Sequence, residues 1–314
     1  MAQLQIGTFC WADPGLDFSK PTVRQSLQRP IRKQFCSTRS AFSSSKLPAD
    51  AYATSGSSGY QPGGTFMATA GRWTTRSIGT PLEDCSGLGR WSGLCYLGKR
   101  GKRLAIITAY RSPRQQPTGG FGFFDQQHSI LLSQGVRKPN VRKQFITDLI
   151  LFVNNLQFNG HEVIVSLDAN ETLGQDKHCG LAHLLDECTL VDLHLLGPSD
   201  PTATYKYGNG RRIDYMLGSA AVASAICNAG YNAYDNGIFS KHRGLLIDLD
   251  FTTLLGSVDS IAPTKARVLR SDDQPSVDRY LAAFKLYADD HRIWDRVNAL
   301  TKMAPTLQSK NCNG

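Results

Sequence analysis

Apolar positions are patterned unevenly along this chain. From Tyr60 onward, short runs rich in aromatic, aliphatic and Thr residues recur between turn residues, at Thr65–Ala70, Arg90–Leu97, Leu104–Tyr110 and Glu162–Leu167, and each reads as a strand. Gly98–Gly101 separates two of these runs as a hairpin turn. Leu104, Ala105, Ile106 and Ile107 are apolar without alternation, which predicts a central strand buried on both faces. In Arg142–Asn159, Phe145, Leu149, Phe152, Val153 and Leu156 recur at spacings of three and four, so they share one helical face, and Gly160 supplies the stop. A shorter helix is expected over Gly180–Glu187, and further strands over Tyr205–Tyr207, Arg212–Leu217 and Leu245–Phe251. Beyond Thr252 the pattern turns polar; a linker with Pro263 and Pro275 leads to a helix over Ser276–Leu286. Residues 1–59 show no sustained strand pattern. They hold a basic helical segment, Pro21–Phe35, and a Ser/Gly-rich stretch, Ser43–Gly59. The chain therefore divides into a weakly specified front (1–59), a core (60–252) and a linker with a helical segment (253–314).

The 314 residues are 41% hydrophobic, enough for a large core, and contain no run of about 18 apolar residues that could span a bilayer. Met1–Cys10 lack the basic start and apolar stretch of a secretory signal, so an intracellular setting is expected. The eight cysteines are scattered without CxxC pairs, which argues against a zinc ribbon or a dense disulfide framework. The formal charge of +9 is concentrated. Lys20, Arg24, Arg29, Arg32, Lys33, Arg39 and Lys46 lie in one stretch without acids; Lys99, Arg100, Lys102, Arg103, Arg111 and Arg114 lie in another. Such tracts suit a polyanion, although a solvated basic surface has the same composition.

Three segments can carry chemistry. The strand ending at Leu167 runs into Asp168, Ala169, Asn170, Glu171, where a carboxylate and an amide at a sheet rim can hold a water or cation and a phosphate oxygen; an Asp-x-Asn turn that merely ends a strand reads the same. Asp214 sits inside the apolar strand Arg212–Leu217 and must find a partner or face a site, with Arg212, two residues away, the first candidate. His242 in Ser240, Lys241, His242 precedes a strand, where a distant carboxylate such as Asp214 could fix its tautomer for proton transfer.

In this order and spacing the segments resemble the endonuclease/exonuclease/phosphatase superfamily, with its Gly-Asp-x-Asn element (here Leu167–Asn170), its Arg/Ser-Ile-Asp-Tyr strand (Arg212–Tyr215) and its Ser-Asp-His (Ser240–His242). Thr108–Arg111 matches the strand that ends in Tyr. The turn Gln61–Thr65 and the segment Gly87–Trp91 are similar to the branch found in retroelement reading frames. The resemblance covers Tyr60 to Phe251. It implies an α/β, deoxyribonuclease-like fold, a two-layer β-sandwich flanked by helices, and metal-dependent hydrolysis of phosphodiesters in nucleic acid, DNA rather than RNA. It implies that Asp168, Asn170, Asp214, His242 and Tyr110 are catalytic, that Arg212, Lys241 and Arg111 bind phosphate, and that Asp13 and Glu171 serve Mg2+ or Mn2+. The chain departs from the pattern in two places. No first strand bearing Asn is legible in the front, so Asp13 is a short stand-in for a metal-binding Glu; and Lys241 replaces the metal-associated Asp, which should lower the His242 pKa. A nucleic-acid-binding fragment without activity, or a phosphatase acting on a small ester, are the alternatives.

Overall fold

The computed structural model describes residues 7–35, 37–46, 60–115, 122–176, 179–197, 202–207, 210–234, 240–256 and 273–299. They fall into two compact units, 1–260 and 261–314. In chain order the first contains β1 (Thr8–Ala12), α1 (Pro21–Gln34), β2 (Thr38–Ser43), β3 (Thr65–Ala70), β4 (Ser77–Glu83), β5 (Trp91–Leu97), β6 (Arg103–Tyr110), α2 (Phe123–Ser133), α3 (Val141–Phe158), β7 (His161–Asp168), α4 (Leu181–Glu187), β8 (Val191–Asp192), β9 (Asp214–Gly218), α5 (Ala220–Ala223), β10 (Ile226–Tyr231), β11 (Leu245–Leu249) and α6 (Phe251–Leu255). The second contains α7 (Gln274–Asp290).

A six-stranded sheet, β4-β5-β6-β7-β9-β8, forms one layer of a sandwich. Its β6 and β7 are parallel while its other pairs are antiparallel. The facing layer is made of two smaller sheets, β1-β3-β2 and β10-β11. Strand alternation sorts the residues between layers. Leu104, Ile106 and Ile164 point into the sandwich against Met67, Leu94 and Tyr96, whereas Ala105, Ile107, Val163 and Val165 point outward, where Phe145, Leu149 and Val153 of α3 and Leu181 and Leu184 of α4 cover them. Each such side chain, once buried, contributes on the order of 1.5–3 kcal/mol. Helix α3 starts where the Asn140 side chain accepts from the Lys143 N–H at 3.0 Å. On the far side of the sandwich, Val23, Leu27 and Ile31 of α1 pack on Phe18, Phe42, Phe66 and Ala68. The result is the expected two-layer β-sandwich flanked by helices.

The front of the chain differs from the sequence expectation: β1 and β2 flank β3, with α1 lying over them. These strands are five and six residues long and interrupted by polar positions, and their partner β3 lies more than twenty residues further on, so local pattern alone does not reveal them. Edge strand β4 was also illegible, because it contains Gly79 and Pro81, which an edge tolerates. The Tyr205–Tyr207 segment makes only isolated bridges, from Tyr205 to Arg211 and to His242. Positions 47–59 of the Ser/Gly-rich stretch, and the linker around Pro263, lie outside the described residues.

Layer against layer, β2, β3 and β1 sit over β4 to β7, and β11 lies against β9. Among the described residues no hydrogen bond joins β1 to β11. Ser166 of β7 and Met216 of β9 remain partly exposed, although they belong to central strands. Among the described residues, β1 and β11 belong to separate sheets of the facing layer.

Candidate active site

Sheet register assembles the site. Tyr110 and Asp168 are partners in the parallel β6–β7 pair, and Asp168 and Asp214 are partners in the antiparallel β7–β9 pair, so three side chains form a row across adjacent strands on the sandwich face. Thr204 fixes one end of the row by accepting from the N–H groups of Ile213 and Asp214 at 3.0 and 3.1 Å. From the facing layer, β1 delivers Asp13. Its Oδ1 accepts from Gly63 N at 2.7 Å, and Gly63 has φ +82, with a Cβ there meeting the Phe123 ring at 2.1 Å, so only glycine fits this turn. Asp13 and Asn170 flank the Tyr110 hydroxyl, and Phe123 stacks on the Tyr110 ring at 5.0 Å.

His242, just before β11, places Nδ1 2.9 and 3.0 Å from the two oxygens of Asp214. One oxygen each of Asp168 and Asp214 and one imidazole nitrogen of His242 lie within 4.8 Å of one another. Burial alone would lower the His242 pKa, but the Asp214 hydrogen bond and the charges of Asp214, Asp168 and Asp13 outweigh it and hold the imidazole above its ordinary value. This corrects the expectation that Lys241 would depress it. Lys241 is exposed, with Nζ 5.7 Å from the Tyr207 ring centroid, and its charge is not turned on the imidazole. Burial, then the Asp214 charge, pushes the Asp168 carboxyl well above the usual carboxylate range, and burial does the same to the Tyr110 hydroxyl. Carboxylates gathered this closely, with only an imidazole to offset them, fit a hard divalent cation, which Asp168, Asp214 and the neighbouring Asp13 could hold through oxygen.

Other candidates are engaged elsewhere. Arg111, wholly buried, pairs with Glu171, also wholly buried, and donates to the carbonyls of Arg142 and Cys179 at 3.2 and 3.0 Å. Glu171 also accepts from Leu181 N and, at 3.2 Å, from Arg142, so both its oxygens are taken. Just past the ends of β6 and β7, the Arg111 and Glu171 side chains turn into the interior and take each other as partners, away from the rim where a metal or phosphate would sit. Arg212 reaches Asp192, with a second contact at 2.8 Å, and lies 4.6 Å from the Tyr215 ring; Asp214 has His242 as its partner instead. Asn170, at φ +48, donates one amide hydrogen to the Arg111 carbonyl at 2.8 Å, with its amide beside the Tyr110 hydroxyl. The basic tract Lys99–Arg103 is at the end of β6 opposite Tyr110, about 23 Å away at the strand rise. The sequence reading missed Thr204, Phe123 and Tyr205, whose ring packs 5.0 Å from His242; none lies in a motif that would flag it.

No protein-family model matches the chain, and no curated protein sequence matches it. Solved structures do. The 3′ phosphatase NExo from Neisseria, bound to a product DNA hairpin, superposes with a TM-score of 0.50 at 14% identity, covering 78% of this chain and 89% of that one. The APE2 catalytic domain from Xenopus laevis gives 0.48 at 16% identity over 78% and 84%. An endonuclease/exonuclease/phosphatase family protein from Leptotrichia buccalis gives 0.45 at 12% over 79% and 88%. At these identities the likeness is one of fold. The chain shares the fold of these nuclease and phosphatase structures.

Proposed function

We propose that the protein hydrolyses phosphodiester bonds in nucleic acid, with DNA the preferred substrate, at the rim defined by Asp168, Asp214 and His242. The observation that carries this reading is the convergence of those three groups within 4.8 Å, although they come from positions far apart in the chain. Asp214 engages Nδ1 of His242 and so fixes the ring, which leaves Nε2 to exchange a proton with the reacting oxygens. Asp214 and the neighbouring carboxylates favour the charged imidazole, the form that donates a proton to a departing oxyanion. Tyr110, kept as a neutral hydroxyl, and the side-chain amide of Asn170 beside it would turn as donors to phosphate oxygens when substrate binds. Asp168 is placed to orient the attacking water. A bound Mg2+ or Mn2+ would supply Lewis-acid polarisation of the phosphoryl oxygen. Nucleic acid is favoured over a small ester by the charge of +9 and by cationic residues beside the rim, Lys241, Arg211 and Arg243. The DNA hairpin bound by the Neisseria protein belongs to that protein and adds only plausibility of substrate class.

A second reading, binding without cleavage, is favoured by the short Asp13, engaged by Gly63 N, where a longer acid would reach further into the site. Plasmid nicking separates the two. Purified protein should nick supercoiled DNA with Mg2+ or Mn2+ and stop in chelator, and His242→Ala should stop with it. Binding of DNA with no nicking under either ion would select the second reading.

A further inference from the structure

The segment around His242 carries more aromatic and cationic surface than proton transfer needs. Cross-strand hydrogen bonds, Lys206 N to Lys241 O at 2.9 Å and Arg243 N to Thr204 O at 2.8 Å, hold residues 204–207 beside 241–243. On this platform three rings run outward from the site: His242 to Tyr205 at 5.0 Å, then Tyr205 to Tyr207 at 5.9 Å, edge to face. Tyr207 ends the series 54% exposed, with the Lys241 ammonium over its ring. Arg243 lies 4.4 Å from the Tyr234 ring close by.

We propose that Tyr207 and Lys241 form a stacking subsite for an unpaired base next to the scissile phosphate, so that single-stranded or frayed nucleic acid is preferred over continuous duplex. The proposal rests on the nuclease reading and deepens it. A ring two contacts away from His242 can be reached by a neighbouring nucleotide of a strand whose phosphate is at the rim. Inside a duplex each base is already stacked on both faces, and only a base released from that stack can offer a face to Tyr207. An exposed aromatic ring paired with a mobile ammonium offers such a base a π-face and its phosphate a counter-charge, the combination that single-strand-binding surfaces use. Lys241 also acquires a role consistent with its position over Tyr207 and away from the imidazole.

The test uses the full chain in chelator, so that binding is read without turnover. Short DNA with a single 2-aminopurine is titrated with protein, either single-stranded or annealed to its complement. Tyr207→Ala should weaken single-strand binding by about 5- to 100-fold and lower the ratio of single-strand to duplex affinity, whereas Tyr207→Trp should retain both the ratio and the quenching of 2-aminopurine. Lys241→Gln should reduce the log-log salt slope on single strands by about 0.7. Equal loss on both substrates in Tyr207→Ala, or no loss, overturns the subsite while leaving the nuclease reading in place. Failure of the unaltered protein to bind either DNA removes the nuclease reading and this inference together.

Discussion

Two clusters of charged residues lie side by side on the same stretches of chain and are built on opposite principles. At the rim, Asp13, Asp168 and Asp214 face one imidazole, so negative charge is left over and the Asp168 carboxyl is driven toward its protonated form. Directly beneath, each of Arg111, Arg142 and Arg114 pairs with Glu171 or Asp176, and backbone carbonyls take further guanidinium hydrogens. Tyr110 belongs to the first cluster and its neighbour Arg111 to the second; Asp168 belongs to the first and Glu171 to the second. Residue type and proximity in sequence therefore do not assign a function here. The direction of the side chain, toward the rim or into the interior, does. A site that awaits a cation or a phosphate holds unbalanced charge, whereas a structural network closes on itself.

The sharpest way to break this contrast is to neutralise one member of each cluster. His242→Ala or Asp168→Asn should reduce nicking by about 10²- to 10⁴-fold, the usual range for a lost proton-transfer group, while the fold stays intact. In chelator, Asp168→Asn should melt at the same temperature or higher, because desolvation and the Asp214 charge outweigh what the native carboxylate gains from His242 and the Asn170 N–H. A large drop in melting temperature would place Asp168 with the structural residues. Glu171→Ala should do the reverse. It leaves Arg111 buried without its carboxylate, and about 3–5 kcal/mol of stability should be lost in urea titrations. Near-wild-type stability together with abolished nicking would return Glu171 to the site.

A smaller effect comes from the ion. If the rim holds a divalent cation, Mg2+ at a hundred times its dissociation constant should stabilise the fold by about 2.7 kcal/mol in thermal melts, and Asp168→Asn should lose this response. An increase that survives the substitution would move the ion away from Asp168.

Much of the frame was legible because long-range order follows from local pattern in the core. Uninterrupted apolar runs marked β6 and β7, the three-and-four spacing marked α3, and the Asp-x-Asn and Ile-Asp-Tyr segments landed as register partners on β7 and β9. The front was not legible, since β1 and β2 acquire their meaning only by pairing with β3. For the same reason Asp13 was a tentative candidate, and the structure brings it to the Tyr110 hydroxyl. Arg111, Arg212 and Glu171 misled because a motif specifies residues and not the direction in which side chains point. Asp192, the partner of Arg212, lies twenty positions earlier in an element too short to show a pattern.

The finest test contrasts two histidines. His194 is 1% exposed; its Nε2 hydrogen donates to the Gly230 carbonyl at 3.1 Å, and its Nδ1 has no partner. Charging it would put a proton on a buried nitrogen with no acceptor, and burial accordingly lowers its pKa. Its unfolded form takes up a proton first, near pH 6.5, so the stability tied to His194 is present above that pH and is lost as pH falls toward the lowered folded value. His242 has the opposite sign. Its folded pKa is raised, so its contribution is fully present below about pH 6.5 and is lost as pH rises through the folded value. Each unit of displacement is worth about 1.4 kcal/mol at most, and less for His242, whose side chain is 31% exposed. Unfolding free energies measured in chelator between pH 5 and pH 8 should show His194→Gln flattening the acid limb and His242→Gln flattening the alkaline one. Titrating imidazole resonances should fall on opposite sides of pH 6.5, His194 below and His242 above. A His242 resonance below pH 6.5 would mean that Asp214 does not stabilise the charged ring, and the proton-donor role of His242 would lose its electrostatic basis.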